Sequence, residues 1–409
     1  MRPGLLRSSF ATTAILGLRM LTQAGTLILV TRILGPSTYG DYVAAASMAM
    51  IAGLVPNLGA GYVLMARAAR EGETAVETWR YAWPLSLCMG AGMTLLFPVV
   101  AGWLTRGSLS TANLFLIGIA ELLVTPLTQL SGFVLQSRDR VAQGQVITWL
   151  PLLLRAIAAA ACLLVFGTHH VDAFVGLQAT GAVAGLLIGI VCLSRMVRLP
   201  WRPRRPTRDE WRSGSAYAAM HVVASNPGEI DKITAPVLLG DHAAGIYSAT
   251  SRIMNAVIAP LLGVLLAAQP RLFRQGAAPS REGRRLIVRL GASAAAWGAV
   301  SALGMALAAP LLPYLLGRAF SDAAQLLPWV AIACPFIALR MTAGTVLVAL
   351  GKPLQRLRFE LGGIVLMACL LTLGTRLMGI HGMAWGLAGA EACMAAYGWL
   401  LVRSNVRLA

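Results

Sequence analysis

Nine charged side chains lie inside long apolar runs of this 409-residue chain. They are Arg19, Arg155, Lys232, Arg252, Arg340, Glu121, Glu229, Asp231 and Glu391. An ionised group at the centre of a bilayer costs about 2.5–3.5 kcal/mol on insertion scales, so each one needs a partner or a function. An arginine cannot discharge itself by losing a proton. Each buried arginine therefore has to face water, a carboxylate or an anionic ligand.

The chemistry that best suits the arginines is phosphate recognition, because a guanidinium forms bidentate contacts with phosphate oxygens. Arg19 and Arg252 fall in the first and eighth apolar runs, and the pair is predicted to bind a diphosphate. Arg155 and Arg340 are candidates for the same substrate because of their depth. The structural alternative is a buried pair with a carboxylate, for example Arg155 with Glu121.

The acidic residues Glu121, Asp231 and Glu391 are candidates for coupling transport to an ion, or else buried partners of arginine. Asp231 stands in the stretch SNPGEIDKITAP, where Pro227-Gly228 and Pro236 interrupt the helix. A broken helix exposes backbone carbonyls and can line a cavity. Compensation of Asp231 by Lys232 or by Arg252 is the local alternative.

Other kinds of chemistry are not indicated. The six cysteines stand singly in apolar runs without CxxC spacing, and there is no HExxH, so neither a disulfide nor a metal site is predicted. No Walker loop, GxSxG or kinase signature occurs. We therefore expect neither a cofactor nor an enzymatic activity.

The composition predicts an all-α polytopic membrane protein. Hydrophobic residues make up 57% and charged residues 12% of the chain, and mean hydropathy is +0.70. Such a chain has too little polar surface for a soluble enzyme, a disordered tail or a disulfide scaffold. A crossing needs about 20 apolar residues. Twelve spans are predicted, at 9–33, 41–66, 81–104, 112–136, 146–167, 172–194, 214–238, 244–269, 286–316, 323–350, 358–378 and 381–402.

The charge distribution predicts the orientation. The chain has a net charge of +18, and with the N-terminus inside, 25 Lys and Arg lie in or beside inner loops against 4 near outer ones. This positive-inside asymmetry predicts an even number of spans with both termini cytoplasmic. Aromatic platforms interleaved with the basic residues are missing, so the charge indicates anionic membrane lipid rather than nucleic acid.

The chain is expected to consist of two six-helix bundles, 1–194 and 214–409, joined by a basic linker at 195–213. The linker contains seven arginines and three prolines and is predicted to set orientation along anionic lipid. The motifs LGPSTYGDYVA at 34–44 and LGDHAAGIYSA at 239–249 are 205 residues apart and identical at five of eleven positions. Both follow the first span of a half, which predicts a parallel repeat around a central cavity.

Three stretches resemble the bacterial oligosaccharide flippase family of the multidrug/oligosaccharidyl-lipid/polysaccharide exporter superfamily. They are TRILGPSTYGDYVAAASMAMIAGLVPNLGAGYVLMARAARE, IDKITAPVLLGDHAAGIYSATSRIMNAVIAP, and YLLGRAFSDAAQLLPW followed by VLVALGKPLQR. The resemblance implies alternating-access transfer of an undecaprenyl-pyrophosphate-linked oligosaccharide from the cytoplasmic to the periplasmic leaflet. O-antigen or exopolysaccharide synthesis would use this transfer, with a polysaccharide polymerase and glycosyltransferases as partners. Arg252 stands where related lipid II flippases have a motif arginine, whereas Arg19 matches only by span.

Two rivals remain. A cation- or proton-coupled multidrug-type exporter of the same superfamily would depend on Glu121, Asp231 or Glu391. Its relatives usually carry an acid in the first span, where this chain has Arg19 and no acid. A membrane-embedded glycan polymerase or ligase would need a long outer loop, and all the predicted outer loops are short.

Overall fold

The computed structural model describes residues 3–71, 77–105, 107–138, 140–225, 229–275 and 280–407. Within these ranges the chain consists of helices joined by turns and by the non-helical segment 197–207, and it has no strand. The all-α class predicted from hydropathy is therefore confirmed. The chain folds into two compact units, Met1–Val222 and Val223–Ala409. The segment 195–213 thus lies inside the first unit, and the bundle boundaries drawn from the sequence stay a prediction.

The described part of the first unit contains eight α-helices, the last of which runs three residues past the boundary of the unit. They are α1 (Pro3–Ala52), α2 (Ala60–Glu71), α3 (Trp79–Leu104), α4 (Thr111–Gly118), α5 (Thr125–Gln136), α6 (Val141–Val165), α7 (Val171–Met196) and α8 (Arg208–Ser225). A π-helical turn, Ile119–Val124, joins α4 to α5. Helix α6 packs against α1, α5 and α7. One apolar core, around Leu64, Trp79, Leu135 and Leu193, holds α2, α3, α5, α6 and α7 together.

The second unit contains the remaining helices. They are α9 (Ile230–Leu239), α10 (Asp241–Gln275), α11 (Arg281–Ala308), α12 (Leu312–Leu316), α13 (Ser321–Ala331), α14 (Cys334–Ala349) and α15 (Pro353–Arg407). Helix α14 packs between α11 and α15. Leu272, Ile287, Leu347 and Val402 form the core that joins α10, α11, α14 and α15.

The predicted number of twelve spans is not confirmed. Among the described residues, eight helices are long and apolar enough to cross a membrane, or nine if the bent pair Arg318–Ala331 and Cys334–Ala349 counts as one span. Two of the eight, Ala14–Ala52 and Pro353–Val406, are longer than a single crossing needs and contain non-helical backbone at Gly35 and at Met378–Gly379. Each therefore contains two predicted spans or parts of two.

Other predicted spans are divided in the structure. The predicted span 41–66 is interrupted by turns between α1 and α2, and α2 has only 12 residues. The predicted span 214–238 falls on α8 and α9. Pro227 and Gly228, the proposed break between them, lie outside the described residues. Because of these interruptions, the number of long apolar helices in the structure is smaller than the number of apolar runs in the sequence.

The internal repeat is visible in the backbone. Gly35 has φ 68° and ψ 171°, and Gly240, at the matching position of the second motif, has φ 79° and ψ 167°. This conformation is open essentially only to glycine. The matching tyrosines, Tyr42 and Tyr247, are both buried, and each hydroxyl donates to a side-chain oxygen. The two motifs thus form the same break between consecutive helices.

The Gly240→Ala variant is expected to lose about 1–3 kcal/mol of unfolding free energy. A Cβ at Gly240 would meet no atom within 4 Å, so the loss would come from backbone strain alone. Gly263, inside α10, has equally open surroundings but no positive φ, so Gly263→Ala should be neutral or slightly stabilising. Thermal unfolding of the detergent-purified variants measures the difference. Equal melting temperatures for the two variants would contradict a strained break at Gly240.

Candidate functional site

Arg155 lies in a buried polar cluster of the first unit. Its Nη1 is 2.7 Å from Oε1 of Glu121, which the π-helical turn carries, and its Nη2 donates to Gln178 Oε1 at 3.3 Å. The Tyr42 hydroxyl donates to the same Gln178 oxygen at 2.8 Å. These four side chains line a small cavity, together with apolar residues of α4, α7 and the π-helical turn. The guanidinium charge is therefore balanced by a carboxylate, as in the structural alternative.

The Thr125 side chain contacts the π-helical turn that carries Glu121. Its hydroxyl donates to the Ala120 carbonyl at 2.9 Å and lies 3.3 Å from Glu121 Oε2. A π-helical turn carries one extra residue per turn, and such turns often occur at functional sites. Here the turn places Glu121 opposite Arg155.

Arg340 lies in a second buried cluster, built by α14 and α15. Its Nε donates to Glu391 Oε2 at 2.6 Å, and its Nη1 is 3.6 Å from Glu360 Oε2. Arg356 contacts the other oxygen of Glu360 at 3.2 Å. Arg340, Glu360 and Glu391 are all buried. Two carboxylates thus surround the Arg340 guanidinium, so it is engaged within its own unit.

Asp231 is the centre of a third cluster, between α9 and α10. It accepts hydrogen bonds from Tyr247 Oη at 3.0 Å and Ser251 Oγ at 2.7 Å, and Lys232 Nζ lies 3.2 Å from its other oxygen. Glu229 approaches the same ammonium at 3.7 Å. Asp231 and Lys232 are 2% and 1% exposed, so this is a desolvated pair. The local compensation of Asp231 by Lys232 is present.

Arg252 follows Ser251 on α10 and is half-buried. Because Ser251 hydrogen-bonds to Asp231, Arg252 directly follows a member of the Asp231 cluster in the sequence. Its role as a diphosphate ligand stays a prediction.

Arg19 differs from the other predicted ligands. It is half-buried on α1, and no carboxylate among the residues that the structure describes lies within salt-bridge distance of it. Leu18 and Leu21 beside it are exposed. The Trp149 indole donates to Thr22 Oγ1 at 3.0 Å and attaches this part of α1 to α6. No carboxylate in the described part of the chain thus compensates the Arg19 charge, and its apolar neighbours on α1 are exposed.

Several members of these clusters give little or no signal in the sequence. Glu360 lies near the start of a predicted span, and the signal that could have identified it is its position four residues after Arg356, the spacing of a helical ion pair. Tyr42 and Tyr247 stand out only as identical positions of the repeat. Gln178 and Ser251 give no signal, because a single polar residue in an apolar helix is common.

Comparison with known proteins agrees with this architecture. The family described as polysaccharide biosynthesis protein matches residues 5–274. An inward-facing multidrug resistance MATE family transporter of the MOP superfamily has a TM-score of 0.77 at 16% identity, covering 95% of both chains. An outward-facing transporter of that description has a TM-score of 0.63 at 16% identity, and MATE in the straight conformation has 0.66 at 16% identity. Each of these two comparisons covers 98% of this chain and 95% of the other.

No curated protein matches the chain. At 16% identity the structural likeness shows the fold alone, and the family is shown by a match that spans most of the sequence. Together with the repeated helix break and the apolar helices, these findings confirm the resemblance seen in the sequence. The chain belongs to the polysaccharide biosynthesis protein family and has the fold of MOP-superfamily transporters.

Proposed function

We propose that this protein is a flippase, which moves an undecaprenyl-pyrophosphate-linked oligosaccharide from the cytoplasmic to the periplasmic leaflet of a bacterial inner membrane by alternating access. Family membership and a transporter fold support a role in carrying a polysaccharide precursor. The observation that carries the substrate class is the charge at Arg19. It lies within an apolar helix, without a carboxylate partner among the described residues.

An uncompensated intramembrane arginine favours an anionic cargo. A diphosphate carries about two negative charges, and guanidinium binds phosphate oxygens bidentately. A neutral glycan would leave the Arg19 charge unbalanced, and a cationic drug would be repelled by it. An inside-negative potential favours outward movement of the diphosphate by about 2.3 kcal/mol per charge per 100 mV. The substrate charge can therefore both bind the protein and help drive the transfer.

The four arginines predicted to bind substrate separate into two groups. Arg155 and Arg340 are neutralised by Glu121 and Glu391 at 2.7 and 2.6 Å, which supports a structural role for them. Arg19 stays a proposed diphosphate ligand because of its charge, and Arg252 because it stands where related lipid II flippases have a motif arginine. The buried carboxylates Glu121, Asp231 and Glu391 are thereby assigned to holding helices together.

The alternative is a cation- or proton-coupled small-molecule exporter. The structural neighbours that are multidrug resistance transporters favour it. Such a mechanism needs a carboxylate that releases one cation and takes up another. Here Glu121, Asp231 and Glu391 each contact an arginine or a lysine, which makes them poorer exchange sites.

The decisive experiment is the sidedness of the lipid-linked oligosaccharide in a deletion strain. Spheroplasts are probed with a glycan-cleaving enzyme or lectin that cannot cross the membrane. We expect the lipid-linked oligosaccharide to be protected in the deletion strain and accessible after complementation by the wild type. Normal exposure without the gene, in a strain with no second flippase, would contradict the proposal. Sensitivity of the deletion strain to toxic cations would then favour the exporter.

A further inference from the structure

The segment between α7 and α8, residues 197–207, is held against the first unit by apolar contacts. Val197 is buried in the core cluster of Trp79 and Leu193, and Leu199 packs against that cluster. The Trp201 ring meets the Trp79 ring edge-on, with centroids 5.7 Å apart. A proline-rich linker that served only as a tether would need none of these contacts.

Hydrogen bonds to the start of α3 add a second attachment. The Arg204 amide donates to the Arg80 carbonyl at 3.1 Å, and Arg80 Nε donates to the Arg202 carbonyl at 3.0 Å. The Arg204 guanidinium stacks over the Tyr81 ring, 4.9 Å from its centroid. The backbone of residues 202–204 thus follows the N-terminal turn of α3.

Glu210, in the first turn of α8, binds the C-terminal end of the segment. Both its oxygens accept from Arg204, at 2.5 and 2.7 Å, and one also accepts from Arg67 Nη1 at 2.7 Å. It also forms a capping box with Thr207, whose amide donates to Glu210 Oε2 at 2.9 Å. We call Glu210 with Arg67, Arg204 and Thr207 the Glu210 clasp.

Electrostatics in the clasp agree with its geometry. Burial by itself would raise the pKa of Glu210, but the hydrogen bonds from Arg204 and Thr207 outweigh it, and the pKa lies below its ordinary value. The carboxylate therefore stays ionised at neutral pH. The clasp fixes the start of α8 and the end of the linker together.

The clasp leaves a row of charged and aromatic side chains facing outward. Its members, all exposed, are Arg198, Arg202, Arg205, Arg208, Arg212, Trp201 and Trp211. We call this row the linker face. Asp209 is the acidic residue exposed within it. The face is therefore strongly basic, and it is presented by a docked segment rather than by a free chain.

We propose that the linker face binds the headgroups of anionic phospholipids in the cytoplasmic leaflet. The segment begins where α7, with its exposed Leu187 and Val191, leaves the apolar layer. Arginines at that level meet phosphate groups, and tryptophans prefer the boundary between headgroups and acyl chains. An acidic soluble protein would also complement the positive charge of the linker face, but its binding would not require two exposed tryptophans. Pre-ordering by the clasp lowers the entropy cost of binding.

The test uses the full-length protein purified in detergent and titrated with phosphatidylglycerol or with phosphatidylcholine. The readout is the rise in melting temperature with lipid concentration. We expect phosphatidylglycerol to stabilise the wild type more than phosphatidylcholine does. The quadruple variant Arg198→Gln, Arg202→Gln, Arg205→Gln, Arg208→Gln should need at least about 100-fold more phosphatidylglycerol for the same shift.

The matched control removes the same charge from another exposed basic face, at the start of α11. It is Arg281→Gln, Arg284→Gln, Arg285→Gln, Arg289→Gln, whose side chains are exposed. This control should keep most of the phosphatidylglycerol effect. Equal losses in the two quadruple variants, or equal stabilisation of the wild type by both lipids, would overturn the proposal.

Glu210→Gln opposes order to charge, because it breaks the clasp but keeps every arginine of the linker face and removes one negative charge, which by itself would strengthen the binding of phosphatidylglycerol. We expect it to need about tenfold more phosphatidylglycerol than the wild type. An unchanged phosphatidylglycerol response would overturn the role of the clasp.

Displacement of phosphatidylglycerol by an equal concentration of a polyglutamate peptide would show instead that an acidic protein is the partner. The lipid titration uses no transport substrate, so it stands or fails independently of the flippase assay.

Discussion

Replacing Arg19 with glutamine is expected to lower the rate of oligosaccharide flipping by about 10- to 100-fold. The expected size follows from a charged hydrogen bond to phosphate, worth about 1.5–3 kcal/mol when its donor is removed. Stability should change little or rise, because the substitution removes an intramembrane charge that pairs with no described carboxylate. Loss of transport without loss of folding is the signature of a substrate ligand.

The measurement is the sidedness assay with complementing variants, alongside the melting temperature of each purified protein. Arg19→Lys keeps the charge but loses the bidentate geometry, so it should retain an intermediate rate. Arg376→Gln removes an exposed arginine of α15 and should transport at the wild-type rate. Wild-type flipping by a folded Arg19→Gln protein would remove the main support for an anionic substrate at this position.

Replacing Arg340 with methionine is expected to lower the unfolding free energy by about 3–5 kcal/mol. The substitution leaves Glu391, 1% exposed, and Glu360, 3% exposed, buried together without the guanidinium that lies 2.6 and 3.6 Å from them. Removing one partner of a buried ion pair leaves the other charge unpaired in a medium of low dielectric constant. Low yield and a strongly reduced melting temperature are the expected readouts.

The double variant Arg340→Met, Glu391→Leu should recover much of that stability, because no unpaired charge is left at position 391. Its flipping rate should recover with it if Arg340 holds helices together. Arg155→Met and the double variant Arg155→Met, Glu121→Leu should behave in the same way in the first unit. A stable double variant that still fails to flip would return Arg340 or Arg155 to the set of substrate ligands.

Much of the architecture follows from local sequence. A run of apolar residues without period-2 alternation can pair its backbone N–H and C=O groups by hydrogen bonds in a bilayer only as a helix. Helices such as α6 and α7 therefore lie close to their predicted ranges. The repeat is also readable, because a helix break with a positive φ favours glycine, and Gly35 and Gly240 recur with similar backbone angles.

Only the tertiary structure decided how the buried charges are used. Arg340 and Glu391 are 51 residues apart, and Tyr42 and Gln178 are 136 apart, so their contacts depend on how helices pack. The sequence favoured Arg19 and Arg252 as ligands over Arg155 and Arg340, but it could not decide between a substrate and a carboxylate partner for any of the four. Packing neutralised Arg155 and Arg340 and brought Glu210 to Arg67 across 143 residues. Hydropathy depends on each residue alone, whereas a partner for a charge depends on which helices become neighbours.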